Sequence, residues 1–491
     1  MYKHPAVLSS LVIVTAFAGC VEVRYQPNPQ FCTNARGDET CAERFPDGSR
    51  PYCVVSECLD DFYGCFPDVP GENCASPCGL ENPECEAGGT TEGSSSGSGS
   101  SSEDSGSGSE SSSTTGPQPC TENGDCTDAG APFCEPGSGE CVGCDGMDDP
   151  DGACAGLDPG MPLCVGGACV QCTAAAPEAC AGATPVCDDA SNTCVPCTAH
   201  EQCGEAACNL FTGECLPGDA VVHVGPGQEF GTLTAAVGSF VAGTQGTIVV
   251  HQPVADYNES VTVDGGGVLA FLRADDATMP PGWIRSAGGA PQLEVADGTV
   301  LLDGLRLSGN ADDHGLVVAG GRVWVDRGRI ITNGGGGILA QTGAELVLRN
   351  CFVGGAVSDV DAVAVNASTL SALYTTFGGG PILGGRARAL YCEGASIADV
   401  RNSILVSADA MPEVECAGAV LTNSATEDDV GMLNIMWFMS YATGNFSLSG
   451  SGATTFADIA QWSTGDPPTD IEGDPRPAVD GTPDYAGADV P

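Results

Sequence analysis

Short apolar runs recur at a regular interval through the C-terminal half of the chain. In each run apolar and polar residues alternate, which is typical of a β-strand with one buried face. The aligned runs begin at Leu302, Val325, Leu348, Leu373 and Val400. Their successive starts are 23, 23, 25 and 27 residues apart. Earlier strand-length runs lie at residues 315–318, 337–340 and 362–365. This pattern predicts a mainly β fold, with about eight stacked coils of a parallel β-helix.

The rest of the chain does not follow this period, and changes of composition divide it into segments. Residues 88–118 are almost wholly Ser, Gly, Thr and Glu, so no apolar burial repays the entropy of ordering them. This stretch is therefore predicted to be a disordered linker. The predicted segments are a signal peptide (1–19), a cysteine-rich module (20–87), the linker (88–118), four tandem cysteine-rich repeats (119–217), the β-helix (218–425) and its closing segment (426–491).

The N-terminus has the pattern of an export signal. Lys3 and His4 precede an apolar run, residues 6–18, that is shorter than a membrane span requires. The run ends in Phe17-Ala18-Gly19-Cys20, which resembles the bacterial lipobox and implies cleavage before Cys20 and acylation of its sulfur. The alternative is that Cys20 is an ordinary disulfide partner. Acylation is favoured because it leaves an even number of cysteines before the linker.

Cysteines are concentrated in the N-terminal half, in segments poor in the large apolar residues that form a core. This density indicates an oxidising compartment, where the cysteines form disulfides whose pairing the sequence leaves open. Those before the linker are Cys32, Cys41, Cys53, Cys58, Cys65, Cys74, Cys78 and Cys85. Those after it form four sets: Cys120, Cys126, Cys134 and Cys141; Cys144, Cys154, Cys164 and Cys169; Cys172, Cys180, Cys187 and Cys194; Cys197, Cys203, Cys208 and Cys215. Zinc binding or disulfide exchange at the CxxC junctions between sets is the less favoured alternative.

Charge limits the classes of partner. The chain has 65 acidic and 16 basic residues and a formal net charge of -49, which repels nucleic acid at long range. We therefore expect no nucleic-acid partner, and we expect no cofactor.

One acidic turn has oxygen ligands spaced closely enough to be considered for calcium. It contains Asp145, Asp148, Asp149 and Asp151, followed by Gly152. The turn lacks the alternate-position ligands and the bidentate glutamate of an EF-hand loop. A solvated acidic turn is therefore favoured, and no metal site is expected.

Two stretches of the C-terminal half resemble a known family. Residues 227–237 are similar to the capping helix and first turn of the right-handed parallel β-helix proteins of the pectin-lyase-like superfamily. Residues 469–477 and 483–489 resemble the closing motif of many secreted members. The resemblance is to the non-catalytic bacterial surface type. It implies a right-handed parallel β-helix between a helical cap and a closing segment.

Many members of that superfamily act on acidic polysaccharides, so a catalytic site has to be considered. Asp303 and Asp326 occupy equivalent positions of successive coils, with Arg327 and Arg349 nearby. These four residues form the candidate constellation for acid–base chemistry. Arg306 and Arg329 align equally well as solvated strand residues, and no lysine follows Lys3 to serve as a base. The constellation is therefore a weak candidate, and catalysis is not favoured.

The remaining polar and sulfur-containing residues of the predicted rod follow its period in part. Cys392 and Cys416 are 24 residues apart, which is one coil, so a disulfide between adjacent coils is predicted. Cys351 is then predicted to be a buried free thiol. Asn350 and Asn402 occupy equivalent turns, where either a side-chain ladder or a surface turn is expected. The histidines, at positions 4, 200, 223, 251 and 314, have no metal-binding interval.

Together these patterns favour a non-catalytic bacterial surface lipoprotein, located in the outer membrane or on the cell surface. Its expected partners are a membrane, through the lipid anchor, and a glycan or surface-protein ligand of the rod. The first alternative is a lyase or hydrolase acting on polysaccharide at the constellation. The second is a structural spacer of the cell envelope.

Overall fold

A computed structural model describes most of the chain after the predicted linker. It describes residues 119–135, 137–355, 357, 359–380, 385–409 and 412–491, with the backbone of two paired strands, Tyr52–Cys53 and Cys65–Phe66. Met1–Ser113 and Thr114–Pro491 form separate compact units. The predicted signal peptide (1–19), Cys20, the linker (88–118) and the side chains of the cysteines of segment 20–87 lie outside the described residues. None of the described helices is both long and apolar enough to cross a membrane.

Each of the four cysteine-rich repeats is a β-hairpin closed by two disulfides. The hairpins pair Phe133–Glu135 with Glu140–Val142, Leu163–Val165 with Ala168–Val170, Val186–Asp188 with Thr193–Val195, and Cys208–Asn209 with Glu214–Cys215. The only α-helix described in them is Pro150–Leu157, and the 3-10 helices are Asn123–Asp125, Cys144–Gly146, Pro177–Ala179 and His200–Cys203. In every repeat the first cysteine joins the third and the second joins the fourth. The pairs are Cys120–Cys134, Cys126–Cys141, Cys144–Cys164, Cys154–Cys169, Cys172–Cys187, Cys180–Cys194, Cys197–Cys208 and Cys203–Cys215.

The uniform pairing has a local cause. The third and fourth cysteines of a repeat stand opposite each other in the hairpin, as Cys134 does to Cys141. The hairpin thereby presents two neighbouring sulfurs to the two cysteines of the preceding loop. Each bond closes a loop of about 15 residues, which in the chain-entropy model stabilises the fold by about 3 kcal/mol. Cross-links thus replace the large core that these repeats lack.

Residues 221–422 form a parallel β-helix of about eight turns, which confirms the predicted fold class. A complete turn contributes one strand to each of three parallel sheets, which have nine, seven and six strands because the turns at the ends are incomplete. Sheet A contains Val221–Val224, Gln245–Val250, Val268–Arg273, Thr299–Asp303, Arg322–Asp326, Glu345–Arg349, Thr369–Leu373, Ile397–Arg401 and Ala419–Thr422. Sheet B contains Val261–Val263, Leu293–Val295, His314–Val318, Gly336–Gln341, Val363–Asn366, Leu390–Glu393 and Val414–Glu415. Sheet C contains Gly282–Ile284, Arg306–Ser308, Arg329–Asn333, Phe352–Gly355, Thr376–Gly379 and Ile404–Ser407.

The core of the rod consists of columns of apolar side chains that run along its axis. Two columns from sheet A show the pattern, and every member is at most 2% exposed. They are Val300, Val323, Leu346, Leu370 and Ala398, and Leu302, Val325, Leu348, Ala372 and Val400. A residue two positions away along the strand faces inward too, whereas its neighbour faces out. A single coil buries little of this surface alone, so its stability depends on the coils on either side.

The turn from sheet A to sheet C repeats along the rod in a left-handed backbone conformation. Non-glycine residues hold this position at Arg327, Asn350, Tyr374, Asn402 and Asn423, with φ between 47° and 55°. Asn350 and Asn402 occupy equivalent turns, as predicted, but Tyr374 lies between them. Both side chains are buried, and each amide donates to a carbonyl of the closing segment, at Thr469 and Gln461 (2.9 and 3.0 Å). They therefore form neither the ladder nor the surface turn considered from the sequence.

Non-repeating structure covers the first coils and one side of the rod. The α-helix Leu233–Val237 begins at Thr232, whose hydroxyl accepts from the Ala235 amide, and it buries Leu233 against the first coils. The closing segment has α-helices Glu427–Val430 and Gly450–Phe456, 3-10 helices Ile435–Trp437 and Tyr441–Thr443, and strand pairs Phe438–Ser440 with Asn445–Leu448 and Ala460–Gln461 with Pro483–Asp484. It packs on the outer face of sheet C, where the Phe446 ring lies against Gly354 and Gly378. A Cβ atom at Gly378 would come within 2.3 Å of that ring, so this contact requires glycine.

The three cysteines of the rod are all placed. Cys392 and Cys416, on successive coils, are joined by a disulfide. Cys351 is a free thiol with no exposed surface, and burial raises its pKa to about 12. It is therefore protonated and packs as a small apolar side chain.

The fourth cysteine-rich repeat is docked on the outer face of sheet A. Its Ala207 amide donates to Thr247 Oγ1 (2.9 Å), and Ala207 and Leu216 pack on Ala270 and Leu301. Its Phe211 ring meets Trp324 edge-on at 5.4 Å between centroids and lies 4.0 Å from the guanidinium carbon of Arg322. This repeat therefore has a defined position on the rod.

We expect Phe211→Ala to loosen this docking and to lower the free energy of unfolding by about 2 kcal/mol. The loss comes from the aromatic contact with Trp324, the cation–π contact with Arg322 and the apolar area that the ring buries. Hydrogen exchange should increase in residues 197–216 and leave the first three repeats unchanged. Phe211→Leu, which keeps apolar volume, should recover part of the loss. Equal exchange in both variants and the wild type would show that the contact does not hold the repeat.

Candidate functional site

A cavity of about 400 Å³ lies where three separate parts of the chain meet. The fourth cysteine-rich repeat contributes His200 and Glu201. The ends of the sheet A strands and the turns that follow contribute Arg273, Asp303 and Arg327, and the closing segment contributes Glu472. Asp275, just after a strand of sheet A, and Arg329, from sheet C, complete the charged lining. The cavity is thus formed by the docking of non-repeating structure on the rod.

Asp303 and Arg327 form a two-point ion pair in the wall of this cavity. Asp303 is the last residue of its strand and is 5% exposed. Arg327 lies one coil further on, at the left-handed turn, and its Nε donates to Asp303 Oδ1 at 2.8 Å. Its terminal nitrogen contacts Asp303 Oδ2 and, at 3.3 Å, Glu201 Oε1. Burial raises the pKa of Asp303, and the Arg327 guanidinium opposes that rise.

A second ion pair continues the row along the rod. Asp326 follows Asp303 in register, and Arg349 follows Asp326, because all three end successive strands of sheet A. Arg349 donates through Nε to Asp326 Oδ2 at 2.9 Å, and a terminal nitrogen contacts the same oxygen. The Asp326 carboxylate and the Arg349 side chain are 9% and 18% exposed. The structure thus brings together all four residues of the sequence-derived constellation, as two neutral pairs.

His200 stands beside this row and was not among the candidate residues. Its Nδ1 accepts the amide hydrogen of Cys208 at 3.2 Å, so the neutral ring has its proton on Nε2. Within the described residues Nε2 has no hydrogen-bond partner. Burial lowers the pKa of His200, which the carboxylates of Asp303 and Asp326 oppose only in part. At neutral pH the ring is therefore an uncharged donor.

The closing segment adds a crowded set of carboxylates at the opposite side of the cavity. Glu472 accepts from Arg329 at 2.5 Å, and oxygens of Asp470, Glu472 and Asp489 lie within 4.8 Å of one another. Burial, together with the charges of Asp489 and Asp470, raises the pKa of Glu472 to about 7, against the effect of Arg329. This carboxylate therefore changes charge near neutral pH.

Arg273 is the cavity arginine that forms no ion pair within the described residues. Its Nε donates to the carbonyl oxygen of Ala277 at 3.1 Å. Burial lowers its pKa, and the neighbouring charges of Arg327 and Arg329 lower it further. It stays charged because guanidinium pKa values are high. Arg273 and His200 are thus the two donors of the cavity wall whose capacity the protein does not fully use.

Two of the four acidic residues considered for calcium have local structural roles. Asp149 caps the helix Pro150–Leu157 by accepting from the Gly152 amide, and Asp151 accepts from the Cys164 amide at 2.8 Å. Asp145 and Asp148 lie on the exposed surface. The four are not among the metal-compatible groupings of the described residues.

Two histidines that are distant in sequence come together. His223 on the first strand of sheet A and His251 after the second have ring nitrogens 3.0 Å apart. The spacing of the histidines in the sequence did not predict this contact. Their separation of 28 residues, close to one coil, is the signal that could have identified them.

Comparisons with known proteins assign no activity to the chain. Residues 106–221 match the model of a family of unknown function (DUF8331). The match spans the four cysteine-rich repeats, ends at the first residue of sheet A and covers less than a quarter of the chain. No curated protein and no solved structure matches the chain.

The arrangement is suited to binding a polar ligand. Paired carboxylates of a hydrolase need one proton-donating acid and one free base or nucleophile. Here each aspartate is held in an ion pair with a guanidinium, so neither carboxylate is free to act as that base or nucleophile. His200 offers a hydrogen on Nε2 and has its other nitrogen occupied. The donors of Arg273 and His200 and the carboxylates of Glu201 and Glu472 leave hydrogen-bonding capacity for a ligand.

If Asp326 and Arg349 are a structural pair, Asp326→Leu and Arg349→Met should each lower the free energy of unfolding by about 3 kcal/mol, because each leaves a buried charge without its partner. The double variant should lie within about 1 kcal/mol of the wild type. Denaturant unfolding of all four proteins measures this cycle. Additive losses would mean that the two charges do not act as a pair.

The raised pKa of Glu472 predicts a pH dependence of stability. An unperturbed glutamate has a pKa of 4.5, and the folded value is about 7, so the folded state binds this proton more tightly than the unfolded state. The contribution of Glu472 to the free energy of unfolding should therefore decrease as pH rises from about 4.5 to about 7. Denaturant midpoints across this range should fall less steeply for Glu472→Gln than for the wild type. Parallel profiles would contradict the assignment.

Proposed function

We propose that this protein is an exported surface lipoprotein that recognises glycans in the cavity between its fourth cysteine-rich repeat and its β-helix. Acylation of Cys20 would anchor the chain to a membrane, and residues 88–118 would extend the remaining domains away from it. The nine disulfides of the described residues suit the oxidising compartment that this location requires. The resemblance to pectin-lyase-like surface proteins supports the same placement.

The observation that carries the proposal is the pairing of charge around the cavity. Asp303 in the wall and Asp326 beside it are each paired with an arginine, so these two carboxylates are not a free acid–base pair, and the wall offers directed donors and acceptors. Sugars are bound through such groups, since each hydroxyl both donates and accepts. Arg273, His200, Glu201 and Glu472 are available for these contacts. The cavity volume of about 400 Å³ falls within the range of small-ligand sites and suits one or two sugar units.

Weak binding of this kind suits adhesion by a protein that is displayed in many copies on a surface. A single shallow site gives weak affinity, but several anchored copies on one surface engage a polymer together and raise the overall affinity by orders of magnitude. The disulfide-closed repeats and the stacked coils hold the cavity in one geometry, which reduces the entropy lost on binding. The proposal is therefore adhesion or recognition through many weak contacts.

The test uses the mature, disulfide-bonded chain on a panel of neutral and uronate-containing oligosaccharides. We expect retention of one class of glycan without products. Arg273→Ala should weaken that binding by about tenfold or more, the loss of a charged hydrogen bond. Arg285→Ala is the matched control, because Arg285 likewise donates to a backbone carbonyl, that of Gly288, and does not line the cavity.

Three outcomes would contradict the proposal in different ways. Release of shortened or unsaturated products would favour a lyase or hydrolase at Asp303 and Asp326. Absence of both retention and products would favour an envelope spacer. Equal loss of binding in Arg273→Ala and Arg285→Ala would place the ligand outside this cavity.

A further inference from the structure

The pair His223 and His251 lies on the outer surface of the rod, at the first two strands of sheet A. His223 lies between Val222 and Val224, which face the core, so its side chain faces outward. The amide of His251 donates to the Val224 carbonyl at 2.9 Å, and its own carbonyl accepts from the Tyr257 hydroxyl at 3.0 Å. Both backbones are thus held in register by the β-helix itself.

The side chains form a short chain of hydrogen bonds. Asp276 lies 3.1 Å from Nδ1 of His251, and Nε2 of His251 lies 3.0 Å from Nδ1 of His223. Because the carboxylate accepts the Nδ1 hydrogen, the lone pair of a neutral His251 is at Nε2 and faces His223. A carboxylate that orients an imidazole in this way is the usual outer partner of a metal-binding histidine.

The spacing of the two nitrogens suits shared ligation. Two imidazole nitrogens bound to one ion at about 2.0–2.1 Å stand roughly 3.3 Å apart at a tetrahedral angle and about 2.9 Å apart at a right angle. The 3.0 Å separation of Nδ1 and Nε2 lies between these values. Ligation requires each ring to rotate so that its lone pair leaves the line between the two nitrogens by roughly 35–45° and points to one ion on the outside of the sheet.

We infer that His223 and His251 bind one divalent transition-metal ion, Cu²⁺ in preference to Zn²⁺, with Asp276 as the positioning residue of His251. Imidazole suits both ions, and Cu²⁺ binds such nitrogen sites more tightly. On binding, the hydrogen on Nδ1 of His223 moves to Nε2 of the same ring, so Nδ1 of His223 and Nε2 of His251 each offer a lone pair to the ion while both rings stay neutral. Asp276 is 70% exposed, so the outer side of the pair is open to the water that completes the coordination shell. None of His223, His251 and Asp276 lines the glycan cavity, although Asp276 directly follows Asp275 of its wall.

The experiment titrates the mature, chelator-treated chain with Cu²⁺ and with Zn²⁺, using calorimetry and the electron paramagnetic resonance spectrum of bound Cu²⁺. We expect one tight Cu²⁺ per chain with hyperfine coupling to two nitrogens. His223→Ala and His251→Ala should each weaken binding at least tenfold and remove one coupled nitrogen. Asp276→Asn should weaken it by about tenfold and keep both nitrogens, as its outer-shell role requires.

His314→Ala is the matched control, because His314 also lies beside an aspartate, Asp313 at 3.5 Å, but on sheet B. It should bind Cu²⁺ as the wild type does. A spectrum with oxygen ligands only, or the same loss in His314→Ala, would overturn the proposal, since it would mean adventitious binding to the many carboxylates. If His223→Ala fails to fold, His223→Asn provides the same comparison and should likewise lose one coupled nitrogen.

Discussion

Parallel hydrogen bonding holds equivalent residues of successive coils above one another at about 4.8 Å, and most of the structure depends on this repetition. For apolar side chains the repetition is favourable, because each inward position extends a column that excludes water. For charged side chains it is costly, because like charges at this spacing repel. Asp303 and Asp326 follow each other in register, and this arrangement persists because Arg327 and Arg349 alternate with them. The neutral row in the cavity wall is thus a consequence of stacking.

The turn between sheets A and C determines where the non-repeating parts attach. At this left-handed turn the side-chain amides of Asn350 and Asn402 donate to carbonyls of the closing segment, and the Asn402 carbonyl accepts from the Gly487 amide. The same segment buries Arg476, which pairs with Asp484 at 3.0 Å and lies 3.8 Å from the Tyr374 ring at an intervening turn. Glu472 is therefore brought to the cavity by contacts that begin at the turns. The β-helix thus fixes where these turn residues lie, and the closing segment that attaches to them forms a second wall of the cavity.

The sequence was sufficient to predict structural features that repeat from coil to coil, but it did not predict contacts made by the non-repeating segments. The coils, the column of Asp303 and Asp326, and the proximity of Arg327 and Arg349 all follow from one period of about 23 to 27 residues. His200 precedes Arg327 by 127 residues and Glu472 follows it by 145 residues, yet both line the same cavity. No local sequence pattern predicts such contacts. The pairing within each cysteine set was open because it depends on hairpin register. His223 and His251 were missed because one lies on a strand and the other just beyond one, so their alignment with the period is indirect.

The net charge of -49 does not by itself decide what the cavity binds. At physiological salt the potential of distant carboxylates decays over about 8 Å, so a ligand at the cavity responds mainly to the residues that line it. Those residues include three arginines, at positions 273, 327 and 329, and the described chain contains no lysine. Arginine suits this role because its planar guanidinium holds a carboxylate at two points and leaves further N–H groups free. The local arrangement therefore matters more than the net charge, and a neutral polar chain meets a surface on which arginines and carboxylates alternate and hydrogen-bonding groups are fixed.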